Sequence, residues 1–191
     1  MFAVVLDTCV LWPSLQRDFL LSLAIEGLYR PLWSDTILEE LAFHEARKLV
    51  DREETAAAVA AARAERLIAM MKSAFDDALV EGWEPHEGTF GLPDPDDEHV
   101  LAAAVVGGAG AIVTDNVRDF PHAQVPDHIQ ILKPAQFAAD TVAVSPELAL
   151  QAVEILVCRR KNPPETVEGV LERLVARYGM VEAVELVRGV C

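Results

Sequence analysis

Acidic side chains punctuate this chain where a fold could gather them. Asp94, Asp96 and Asp97 fall within four residues, in the stretch Leu92 to Phe120, LPDPDDEHVLAAAVVGGAGAIVTDNVRDF. A second acidic and amide cluster, Thr114, Asp115, Asn116 and Asp119, follows the apolar run Ala111-Ile112-Val113. Asp7 ends another apolar run, Phe2 to Leu6, and Glu39 and Glu40 stand side by side further on. In a parallel α/β sheet, ligands bind outside the carboxyl ends of the strands. Carboxylates gathered there suit hard cations such as Mg²⁺ or Mn²⁺, which take oxygen ligands. Four of them in one cleft repel one another unless a divalent cation stands among them. Such a site turns a water into a nucleophile and stabilises phosphoryl oxygens during in-line attack, which is the chemistry of phosphodiester hydrolysis. The competing role for Asp94 to Asp97 is plain helix capping, since acids favour helix N-termini.

Other chemistries find little support. The chain has no serine–histidine–aspartate order, no reactive-cysteine context and no P-loop. Gly107, Gly108 and Gly110 lack the phosphate-loop pattern and read as a turn between helix and strand. His44, His86 and His99 lack partners at metal spacing and read as surface or packing residues. Cys9, Cys158 and Cys191 are far apart and odd in number, so they read as free thiols rather than zinc ligands.

The elements that must position the acids follow from hydrophobic pattern. Phe2 to Leu6 is a short run with adjacent valines, as a central parallel strand requires. Pro13 to Leu28 reads as a helix and Tyr29 to Trp33 as a short strand, weakened by Pro31. Ser34 is a good N-cap for a helix whose inner face is Ile37, Leu38 and Leu41. Glu39 and Glu40 point about 100° apart on that helix, so only one can face a cleft. Asp51 to Met71 is alanine-rich and reads as a second long helix, forming a hairpin with the first. Phe75 to Phe90 reads as a loop with one weak strand. Helix Val100–Val106, strand 111–113, strand Ile129–Leu132 and a helix from Pro134 through Phe137 complete an α/β domain spanning residues 1–143. From 144 to 191 the chain is expected to be all helical. Ser145-Pro146-Glu147 is a helix start, and Asn162-Pro163-Pro164 follows the basic run Arg159-Arg160-Lys161, which complements a helix C-terminus, an RNA contact being the sharper alternative.

Length and composition bound the reading. The chain has 191 residues, 52% of them hydrophobic, enough for one core and a modest appendage. No apolar run is long enough to span a bilayer, and the N-terminus lacks a basic signal-peptide region, so the expected location is cytoplasmic, with no membrane partner. The formal charge of −15 argues against passive nucleic-acid binding as the main task. It fits a metal site, or an acidic surface that meets a basic partner.

Taken together, VVLDTCVL at Asp7, SDTILEEL at Glu40, DPDDEHVLAAA at Asp97 and VTDNVRDF at Asn116 to Asp119 resemble the motifs of the PIN-domain ribonucleases, and within them the VapC-type toxins. The resemblance covers about Val4 to Leu132. It implies a three-layer α/β/α fold with a central parallel sheet, Mg²⁺ or Mn²⁺ dependence, and RNA as substrate. By the same resemblance, Asp7, Glu40, Asp97 and Asp119 are metal ligands, and Asn116 joins them as a catalytic residue. Asp115 is the rival for the fourth role, and Asp94 and Asp96 are accessory. Cys9 stands where many relatives have asparagine. The family also implies a small antitoxin that occludes the cleft, and a homodimer. The helical tail lies beyond the ordinary domain and resembles extensions in a subgroup of these toxins. Two other roles stay open: a housekeeping RNA-processing nuclease, and a silent interaction protein that keeps the fold. A dehalogenase-like phosphatase would need an aspartate at position 9, where Cys9 stands.

Overall fold

The structure is a computed structural model that describes residues 1–53, 55–160 and 164–190. Lys161, Asn162, Pro163 and Cys191, to which the sequence assigns a basic run, a helix stop and a free thiol, lie outside the described residues. The N-terminal part runs β1 (Ala3–Leu6), α1 (Thr8–Leu11), α2 (Ser14–Ile25), β2 (Arg30–Leu32), α3 (Asp35–Glu53), α4 (Ala57–Ala74), α5 (Glu98–Val106), β3 (Ala111–Val113) and β4 (Gln130–Leu132). Among the described residues that follow are the helices α6 (Pro134–Val144), α7 (Pro146–Arg159), α8 (Val167–Tyr178) and α9 (Val181–Arg188).

The four strands form one parallel sheet in the order β2-β1-β3-β4. Central strands of such a sheet are covered on both faces, which demands continuous apolar sequence. Val4, Val5, Leu6, Ala111, Ile112 and Val113 are accordingly all fully buried. Pro31 falls on the edge strand β2, where a missing N–H costs no ladder bond on the outer side. The expected α/β/α fold with a helical extension is therefore what the chain adopts.

Local chemistry explains most boundaries. The buried Ser34 hydroxyl accepts from the Ile37 amide at 3.2 Å and starts α3. α3 and α4 pack as the expected hairpin, but α3 runs to Glu53 and α4 begins at Ala57, so Asp51 and Arg52 belong to α3 rather than to the second helix. Alanine and charged residues continue across that point without a glycine or proline to mark it. The weak strand expected within 75–90 reduces to a single parallel bridge between Trp33 and Leu79. Between α5 and β3 the turn requires glycine at two places. Gly108 has φ +65, and a Cβ at Gly107 would meet Val80, Leu32 and the Ala103 carbonyl within 3 Å. α5 itself starts at Glu98, two residues ahead of the expected Val100, and α6 continues well beyond Phe137 to Val144.

The C-terminal helices do not stand apart. Ser145 caps α7, and Thr166 caps α8 by accepting from the Gly169 amide at 3.0 Å. α6 packs on α9 and α7 packs on α2, so Phe19, Phe137, Val153, Leu174 and Val184 belong to one continuous apolar core. Among the described residues no single helix is long and apolar enough to cross a membrane.

Candidate active site

Sheet register assembles the first half of the site. Leu6 pairs with Val113, so Asp7 and Thr114 leave the carboxyl edge side by side. The Asp7 amide donates to the Val113 carbonyl at 3.1 Å, and the Thr114 amide to that of Leu132 at 3.0 Å. Asp7 is buried, with 5% of its surface exposed. A buried carboxylate needs donors or a cation. Oδ2 accepts from the Thr114 hydroxyl at 2.6 Å and from the Cys9 thiol at 3.1 Å. Thr114 Oγ1 in turn accepts from the Asn116 amide at 2.9 Å, and the Asp115 amide donates to Cys9 Sγ at 3.3 Å. Burial, reinforced by the Asp7 charge, pushes the Cys9 thiol up to about 12.

Helix α3 supplies the second wall. Its inner face of Ile37, Leu38 and Leu41 is buried, which leaves Glu40 half-buried toward the cleft and Glu39 exposed. Glu40 Oε2 accepts from the Thr8 hydroxyl at 2.6 Å, and Oε1 lies 3.3 Å from His99 Nε2. Burial pushes the Glu40 carboxyl up. The bonds from His99 and Thr8, with the nearby His99 and His44 charges, outweigh it and hold the group below the ordinary glutamate value. For His99 burial acts downward, and the Glu40 carboxylate more than reverses it.

The third wall is the start of α5. A 3₁₀ turn over Pro95–Asp97, held by the Asp96 amide donating to Asp94 Oδ1 at 3.0 Å, delivers Asp97 to the N-cap position. Burial first, then the charges of Asp7, Asp119 and Asp94, push the Asp97 carboxyl up to about 7. Asp115 is likewise raised by burial and by Asp7, against the opposing charge of Lys133. Asp94 and Asp96 are exposed.

Asp7, Thr8, Cys9, Trp12, Glu40, His44, Asp97 and Asn116 thus line one cleft of about 490 Å³. Asp119, in the turn over Val117–Asp119, is not among the residues lining that cleft and acts on Asp97 through its charge. Both candidates for the fourth role therefore remain within electrostatic reach, Asp119 of Asp97 and Asp115 of Asp7. Among the described residues, no Lys or Arg forms an ion pair with Asp7, Asp97 or Asp119. Nor do any three histidine, cysteine or carboxylate side chains stand close enough together to ligate one ion by themselves. The acids border a shared cleft rather than meet at a point. That arrangement suits Mg²⁺, which keeps several waters and binds through one or two carboxylates, better than a closed all-protein cage would. The oxygen donors and the uncompensated negative charge fit a hard divalent cation.

Two participants escape sequence reasoning. His99 reads as an unpartnered histidine, yet it is buried against Glu40, with its Nδ1 left without a hydrogen-bond partner. Its signal is a polar ring in the first turn of a helix that is apolar from Val100 onward. Glu98 is also buried, and its two oxygens accept from the amides of Phe90 and Leu92 at 3.1 and 2.8 Å. It fastens the approach to the aspartate cluster onto α5.

Comparison with known families accords with this geometry. The PIN-domain family model matches residues 3–118. A model of the VapC50 C-terminal domain matches residues 134–189, and so takes in α6. No curated protein and no solved structure gives a significant match.

Proposed function

This chain belongs to the PIN-domain family, which makes it a nuclease of the hydrolase kind, and on that premise we propose that it is a Mg²⁺- or Mn²⁺-dependent endoribonuclease, the toxin of a toxin–antitoxin pair. The observation that carries this reading is the shared cleft of Asp7, Glu40 and Asp97 at the carboxyl edge of the sheet, with no ion-paired lysine or arginine at Asp7 or Asp97 among the described residues. Of Asp7, Glu40, Asp97 and Asp119, one or two would bind the cation directly and the others through its waters; the cation would supply an activated water and neutralise charge on the attacked phosphate.

The chain's own residues do the positioning. Thr114 fixes one oxygen of Asp7. Thr8 and His99 each hold one oxygen of Glu40, so that carboxylate cannot rotate freely. Partners of this kind orient metal-binding carboxylates and set their affinity. Asn116 adds a neutral amide to the cleft wall, where it can meet the substrate without repelling its phosphates. A basic side chain from an antitoxin would enter the same acidic cleft and block it, and the −15 charge of the chain favours such a partner. A homodimer and a cytoplasmic site of action belong to the same proposal.

Purified protein with Mn²⁺ should cut RNA and lose that activity with a chelator. Asp7→Asn and Asp97→Asn should each abolish cleavage and growth arrest. Undiminished cleavage by either variant would defeat the assignment. A short neighbouring reading frame for a small DNA-binding protein separates a toxin from a housekeeping nuclease. Absence of both cleavage and Asp7-dependent Mn²⁺ uptake would make the chain a silent interaction protein.

A further inference from the structure

A second groove adjoins the acidic cleft, and its charge is opposite. Lys48, Arg52, Arg160, Arg173 and Arg177 line it, which is 5 of the 16 lysines and arginines in a chain of net charge −15. Among the described residues, no aspartate or glutamate lines it. Lys48 and Arg52 stand one turn apart on α3, and Arg173 and Arg177 one turn apart on α8. Side chains spaced by four residues share a helix face, so each helix presents a pair of cations to the same groove. The groove exists only because the C-terminal helices pack beside the PIN domain.

Three of these cations are already partly neutralised. Lys48 pairs with Glu45, Arg160 with Asp18 and Glu165, and Arg173 with Glu165. Those pairs hold the side chains in place. Among the described residues, no ion pair reaches Arg52 or Arg177, and both are exposed. Arg52 instead lies over the Trp12 ring, 5.6 Å from its centroid. Trp12 lines both this groove and the acidic cleft, and Tyr178 stands at the groove's other side chain cluster beside Arg177. Trp12 is itself fixed by donating from Nε1 to the His44 carbonyl at 3.3 Å.

Resting on the nuclease reading above, we propose that this basic groove, built jointly by α3 and the C-terminal extension, holds the single-stranded RNA substrate beside the acidic cleft, with Arg52 and Arg177 on phosphates and Trp12 as the step between the two. Single-stranded RNA is gripped by cations along its backbone and by aromatic or guanidinium planes on which bases stack. Both features occur here within one groove. The acidic cleft alone would repel the strand. At physiological salt, charges are screened beyond about 8 Å, so distant acids do not cancel a local basic groove.

The test separates binding from cleavage. A fluorescein-labelled, unstructured 12-nucleotide RNA is titrated in EDTA and followed by anisotropy, with wild type, Asp7→Asn, Arg52→Ala/Arg177→Ala and Arg52→Lys/Arg177→Lys. The alanine pair should weaken binding at least tenfold and lower the salt slope by about 1.4, at about 0.7 for each lost phosphate contact. The lysine pair should restore the slope, and Asp7→Asn, which removes a repelling charge, should bind at least as tightly as wild type while failing to cut. Cleavage of RNA long enough to span both clefts should fall with the alanine pair by the same factor as binding. Wild-type affinity in a folded alanine pair, shown by an unchanged melting temperature, overturns the proposal even if cleavage stands. RNA binding that depends on Arg52 and Arg177 in a protein that cuts nothing leaves the groove intact and removes the nuclease reading instead. Unchanged RNA affinity with lost binding to poly-glutamate would assign the groove to an acidic protein segment and also overturn the proposal.

Discussion

The Thr114 hydroxyl reaches Asp7 Oδ2 at 2.6 Å across 107 residues of sequence, and the same hydroxyl oxygen accepts from the Asn116 amide. One side chain therefore ties the acid at the end of β1 to the turn after β3. Thr114→Val keeps the shape and removes both bonds. The expected cost is about 1–3 kcal/mol, the range for stranding a buried polar group, read from urea unfolding. Metal-dependent cleavage should fall on the order of tenfold or more, as for other losses of a ligand's support. Thr114→Ser should recover most of both.

Asp97 should make metal-free stability depend on pH in a direction unusual for an aspartate. Its folded carboxyl is pushed up to about 7, first by burial and then by neighbouring acids. A group raised on folding contributes stability that is fully present below its unfolded value, about 4, and is lost as pH climbs through 7. Metal-free melting temperature should thus drop over that window, and Asp97→Asn should flatten the drop. Mn²⁺ uptake should release up to about one more proton at pH 6 than at pH 8. Calorimetry in two buffers of different ionisation enthalpy measures it, and equal release at both pH values would refute the assignment.

The Glu40–His99 pair should be bounded in pH from both sides. Glu40 lies below its ordinary value, so its contribution is present above about 4.3 and lost as pH falls through the lowered value. His99 lies above its ordinary value, so its contribution is present below about 6.5 and lost as pH rises through the raised one. The two overlap between roughly pH 4.5 and 6.5. His99→Gln should cost the most melting temperature in that window, on the order of 1 kcal/mol once solvent screening at the half-buried Glu40 is allowed for. A stability difference that does not vary with pH would break the pairing.

Thiol chemistry offers an independent probe of the cleft. Cys158 is exposed, whereas Cys9 is half-buried, hydrogen-bonded to Asp7 and pushed up to about 12. The thiolate is the reactive form. Iodoacetamide at pH 8 should therefore label Cys158 well before Cys9 in the folded protein, with peptide mass spectrometry as the readout. Rapid labelling of Cys9 would mean that the carboxyl edge of β1 is more open than the hydrogen bonds around Asp7 permit.

Some of this was legible in the residues alone. Strands with both faces covered must be apolar throughout, so β1 and β3 stand out, and their terminal acids with them. Ser145-Pro146 announces α7 by local chemistry that needs no tertiary partner. Glu40 rather than Glu39 faces the cleft because Ile37 and Leu41 fix which side of α3 is buried. What resisted reading depends on distant neighbours. His99 finds Glu40 across a long stretch of chain, and Glu98 is drawn inward by two loop amides rather than by any pattern of its own. Of the basic groove only Arg160 stands out in the sequence, as part of a basic run, since α3 and α8 supply the other cations from distant parts of the chain.

The order of strands in the sheet also sets a timetable. β1 is made first but lies between β2 and β3, and the partner that steadies Asp7 is synthesised only after more than half of the chain. Helices can form as they emerge, whereas this pairing must wait. A nascent chain that stops short of Thr114 therefore carries an Asp7 that still lacks the hydroxyl holding it, so the acidic cleft is assembled only late in synthesis.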